Sequence, residues 1–103
     1  MAVRAPGSQK NARYDPLAAA FEYEAAGEAA FSLGIAGKRV EAAMAALNAS
    51  APGDAAREAR LKAAAVAVHH YFIQRELMGM RRHDGVIREY GIPRAVLARL
   101  GAS

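Results

Sequence analysis

The chain has 103 residues, no Cys and no Trp, and a formal net charge of +4. Those figures exclude a disulfide framework and thiolate chemistry. No apolar run approaches the roughly 20 residues that cross a bilayer, so no membrane span is expected. The hydrophobic fraction of 53% is half methyl groups: 27 Ala stand beside only 28 Leu, Ile, Val, Met, Phe and Tyr. Such a composition favours helices and close backbone approach over a thick core.

Residues 1–13 carry Arg4, Lys10 and Arg13 without an acid, and mix Pro6, Gly7, Ser8 and Asn11 with almost no bulk. They are expected to form a disordered basic tail, leaving residues 14–103 as a single helical domain. Asp15-Pro16 predicts a helix start, with Asp as N-cap and Pro in the first helical position. On the helix that follows, Leu17, Phe21, Phe31 and Ile35 share one stripe at 100° per residue. Leu33, Val40, Met44 and Leu47 lie on another. The change of face falls at Gly34-Ile35-Ala36-Gly37, where two glycines predict a kink or break and a second segment over 38–48. A continuous helix with small-residue packing at Gly27, Gly34 and Gly37 is the alternative.

Ser50-Ala51-Pro52-Gly53-Asp54 is a connection, with Asp54 placed to cap the next helix. From Ala55 to Arg82 the pattern is helical, and Leu61, Val66, Val68, Phe72, Ile73, Leu77 and Met80 cover nearly half its circumference. Arg81 and Arg82 suit the negative end of that helix. Asp84 opens a short helix to Tyr90, Gly91 terminates it in the left-handed region, and Ile92-Pro93 opens a last helix to Leu100. The expected fold is all-α: an antiparallel hairpin, its first arm kinked or broken at Gly34–Gly37 unless the helix runs on, capped by two short C-terminal helices. The wide apolar arc set against an Ala-rich arm predicts a homodimer.

Charge is uneven. Residues 15–37 hold Asp15, Glu22, Glu24 and Glu28 with no Lys or Arg, whereas 75–99 hold six Arg against three acids. Glu24, Glu28, His69 and Glu76 project into apolar faces. In a hairpin folded about residue 51, Glu28 lies level with residue 74 and Glu24 with 78. Carboxylates and imidazole between helices form the ligand set of a metal-binding bundle, although the Glu-x-x-His pair of that signature is missing. Pairing with Lys or Arg is the structural reading of the same residues.

His69-His70 and His83 invite a general-base reading. No Ser or Cys nucleophile stands in an activating context, so no catalytic residue and no cofactor are assigned, and a non-enzymatic protein is expected. Gly34-x-x-Gly37-Lys38 lacks the spacing, the following Ser or Thr, and the preceding strand of a phosphate-binding loop. Residues 86–100 resemble a DNA-binding helix-turn-helix: a short helix, the turn glycine Gly91, and a second helix presenting Arg94 and Arg99. They depart from it at Ile87, where a small residue is usual, and in the brevity of the second helix. A helical cap folded over the hairpin is the competing reading.

The runs Tyr71-Phe72-Ile73-Gln74-Arg75-Glu76, Ile87-Arg88-Glu89-Tyr90-Gly91-Ile92-Pro93 and Leu97-Ala98-Arg99-Leu100-Gly101 are similar to those of small uncharacterised bacterial all-α proteins. The resemblance extends over residues 15–101. It implies a compact helical fold and carries no activity, substrate or site. Composition, with 11 Arg to 3 Lys, points to a bacterial cytoplasmic protein. The expected role is interaction or structure, with DNA binding and metal binding as alternatives.

Overall fold

The computed structural model describes residues 15–102, and the expected basic tail lies outside them. Four helices follow in order: α1 (Pro16–Asn48), α2 (Arg57–Leu77), α3 (Asp84–Tyr90) and α4 (Arg94–Leu97). No strand occurs among the described residues, so the all-α expectation holds. Asp15 is the N-cap of α1, its Oδ1 accepting from the Leu17 N–H at 3.0 Å, with Pro16 next in the helix.

The expected break at Gly34–Gly37 is absent: α1 runs unbroken for 33 residues. Gly37 has a packing role instead. A Cβ built there would meet Tyr90 Oη at 3.0 Å and Tyr71 Cε1 at 3.5 Å, whereas one at Gly27 or Gly34 would meet nothing within 4 Å. The glycine admits two tyrosine rings, packed edge to face with centroids 5.6 Å apart. Burial pushes the Tyr90 phenol up to about 12, and Tyr71 adds to the shift.

The core joins Val40, Met44 and Leu47 of α1 to Leu61, Ala64, Ala65, Val68 and Phe72 of α2, closed by Val86, Ile92 and Val96. Two alanines among these contacts let the long helices approach closely. At the hairpin turn, Arg57 Nη1 donates to Leu47 O, Ser50 O and Ser50 Oγ at 3.2–3.4 Å. It thereby satisfies carbonyls at the end of α1 that have no intrahelical donor. Asp54 Oδ1 accepts from the Ala56 N–H at 2.8 Å, a turn ahead of α2.

Helix α2 ends at Leu77, short of the expected Arg82. Gly79 sits at φ 89°, and the Met80 N–H returns to Arg75 O at 2.9 Å, the bond pattern of a left-handed helix stop. Arg81 and Arg82 thus belong to the connection. Gly91 terminates α3 as expected, at φ 63°, with the Ile92 N–H on Ile87 O at 2.9 Å. The last α-helix is a single turn, Arg94–Leu97, shorter than expected.

A candidate interaction surface

Every core residue of α1 lies at or beyond Leu33. None of residues 16–32 is buried. That half of α1, about 25 Å long at 1.5 Å per residue, makes no core. The face that continues the core line is reduced to alanines, Ala18, Ala25, Ala26 and Ala29, with Glu22 among them. The stripe of Leu17, Phe21, Phe31 and Ile35 turns roughly 140° away from it, by helical geometry. These four are 66%, 63%, 71% and 38% exposed.

A second apolar stripe lies on α2, where Val66, Ile73 and Leu77 point away from the core and are exposed, as is Met78 beyond the helix end. The two stripes meet. A groove of about 470 Å³ between α1 and α2 is lined by Ile35 and Arg39 on one side and His70 and Ile73 on the other. Since an aromatic side chain presents roughly 150–250 Å² when fully exposed, the two stripes leave on the order of 800 Å² uncovered, about one partner's share of a standard interface. Ile35 and Ile73 share that groove, while Glu24 and Glu28 separate Leu17 and Phe21 from Phe31 along α1.

The residues anticipated as metal ligands are not brought together. Gly37 lies against Tyr71, so the arms are in register about residue 54, not 51, across a connection over residues 49–56. The shift carries Glu24 and Glu28 past the end of α2, where both are exposed. Glu76 pairs with His83, Oε2 to Nε2 at 2.9 Å. His69 lines a separate cleft of about 500 Å³ with Glu58, Lys62, Val66 and Arg99. Among the described residues no three His, Asp or Glu are gathered as a metal would need.

His83 has a structural place. Its ring stacks on Phe72 at 4.0 Å, with 3° between planes. Arg75 Nε donates to Nδ1 at 3.1 Å, which leaves Nε2 to carry the proton and donate to Glu76. Arg75 Nη2 also donates to Arg82 O at 2.8 Å, so this cluster fastens the connection from α2 to α3.

Of the two arginines proposed to contact DNA, Arg94 is exposed. Arg99 is engaged: its Nε and Nη2 donate to the Glu58 carboxylate at 3.1 and 2.9 Å, and its Nη1 to Ala95 O at 2.7 Å. The guanidinium holds the Glu58 carboxyl below its ordinary value, and the carboxylate raises Arg99 in return. A one-turn helix with Arg99 tied back to α2 fits a cap on the hairpin better than a reader of base edges.

Three features went unanticipated in the sequence: the Arg57 clasp, the stop at Gly79 and the His83 stack. Only Gly79 carried a local signal, as a glycine within an otherwise helical pattern. No helix among the described residues is long and apolar enough to cross a membrane. Residues 8–103 match the model of a family described as a family of unknown function (DUF6665). Neither a curated protein nor a solved structure matches the chain.

Proposed function

Since the chain belongs to this family of unknown function, we propose from its surfaces that it is a small non-enzymatic interaction protein that works as a homodimer. One observation carries the reading: residues 16–32 form helix yet bury nothing, while Leu17, Phe21 and Phe31 stand in water. In proteins most helical stability comes from tertiary packing of an apolar face, and a second copy supplies that packing for residues 16–32. The Arg-over-Lys, Ala-rich composition supports a bacterial cytoplasmic setting.

Light scattering of the full chain at micromolar concentration is expected to give twice the mass of one chain. Phe21→Glu combined with Phe31→Glu is expected to give a single chain with its hairpin helicity kept, because neither side chain belongs to the core. A monomer for the unaltered protein overturns the proposal.

A further inference from the structure

The exposed face of α1 is divided. Its N-terminal half is bulky and acidic: Leu17, Phe21, Glu24, Glu28 and Phe31. Its C-terminal half is small and basic, with Lys38, Arg39, Ala42 and Ala46, all exposed. These residues fall within about 100° of arc around one helix face, well away from the face that packs on α2. We infer that two copies pair through α1 in antiparallel fashion, the acidic, bulky half of one helix lying on the basic, small half of the other. This rests on the self-association proposed above and specifies its geometry.

Steric and charge arguments select the same alignment. When Glu28 is level with the partner's Arg39, the two-fold axis passes between residues 33 and 34. Phe21 then lies level with the partner's Ala46, where a methyl group leaves room for a ring. Phe31 and Ile35 of both copies surround the axis and form an apolar centre. The partner's Glu28 comes to the mouth of the groove that Arg39 and His70 line. The contact is isologous, so each pairing occurs twice. A parallel pairing instead sets Glu24 and Glu28 against themselves and Arg39 against Arg39, and like charges at an interface are costly. It also stacks ring on ring while the alanines face one another across a gap.

The described residues contain no cysteine and the whole chain has none, so an introduced thiol has no native competitor. Phe21→Cys and Ala46→Cys proteins, mixed and oxidised, are expected to give the 21–46 disulfide between copies. Phe21→Cys alone should give no 21–21 disulfide, because antiparallel pairing holds those positions about 37 Å apart at 1.5 Å per residue. In parallel, Glu24→Lys with Glu28→Lys is expected to weaken dimerisation at least tenfold. Adding Lys38→Glu and Arg39→Glu to the same chain should restore it to within about threefold. A dimer that forms 21–21 disulfides, fails to form 21–46, or is not rescued by the second charge reversal overturns the antiparallel arrangement and leaves self-association standing. A monomeric unaltered protein overturns both.

Discussion

Glycines in one helix can have opposite purposes, and α1 separates them. At Gly34 a Cβ meets open space, so Gly34→Ala is expected to stabilise the fold by about 0.5–1 kcal/mol through helix propensity and reduced unfolded-state freedom. At Gly37 the added methyl presses on Tyr90 and Tyr71, and overpacking of about 1–3 kcal/mol opposes the same gain. Gly37→Ala is therefore expected to be neutral to destabilising, and Gly37→Val clearly destabilising, in paired thermal or urea melts. The Glu58–Arg99 pair gives a second expectation. The folded-state carboxyl lies below its ordinary value of 4.5. Its contribution is thus complete above that value and lost as pH falls through the lower, folded one. In unfolding titrations, Glu58→Gln should lower stability slightly at neutral and alkaline pH without changing its slope there, and flatten the acid limb in that window. The effect is small, because both side chains reach solvent.

At the level of elements, α1 is one continuous helix with two environments. Leu33 to Leu47 is fixed by packing against α2, whereas 16–32 has only its own backbone ladder and the Asp15 cap. Hydrogen exchange should divide the helix near residue 32. Amides of 33–48 should be protected at every protein concentration, and those of 20–31 should gain protection as concentration rises into the dimer range. Uniform protection along α1 in a dilute, monomeric sample would contradict this division. The sequence made the two stripes of α1 legible, because Leu33, Val40, Met44 and Leu47 recur at helical spacing. It misled at Gly34–Gly37, where two glycines at a change of face resembled a break. The cause lies with Tyr71 and Tyr90, thirty and more residues away, whose arrival no local pattern announces. The hairpin register was misplaced as well: its pivot lies three positions later than residue 51, which slides the facing arm by six and separates Glu24 and Glu28 from His69 and Glu76.

For the whole molecule, the apolar surface left uncovered is comparable to one side of an ordinary interface, while the core draws on few bulky side chains. The proposed dimerisation would then contribute to stability by mass action. The melting temperature of the unaltered protein is expected to rise with protein concentration, and that of the Phe21→Glu, Phe31→Glu variant to stay constant. The all-α class and the C-terminal cap were readable from helix stops and apolar spacing, as the left-handed Gly91 illustrates. How the exposed surface is used was less readable, since Phe21 and Phe31 have the same spacing whether they face a core, a partner or water. The burial of Val40, Met44 and Leu47 and the exposure of Leu17, Phe21 and Phe31 distinguish the two stripes.

The contact of Tyr90 with Gly37 also orders events in time. The hairpin closes across a short turn, whereas Tyr90 must return over more than fifty residues of chain to reach its glycine. Closing the longer loop costs more entropy unless the hairpin has already brought its ends together. The cap is therefore expected to dock last, onto a hairpin already zipped. Until it does, the apolar surface beneath Val86, Ile92 and Val96 stays open. Substitutions that loosen the Tyr90–Gly37 contact are therefore expected to slow the last folding phase and leave the closing of the hairpin unaffected.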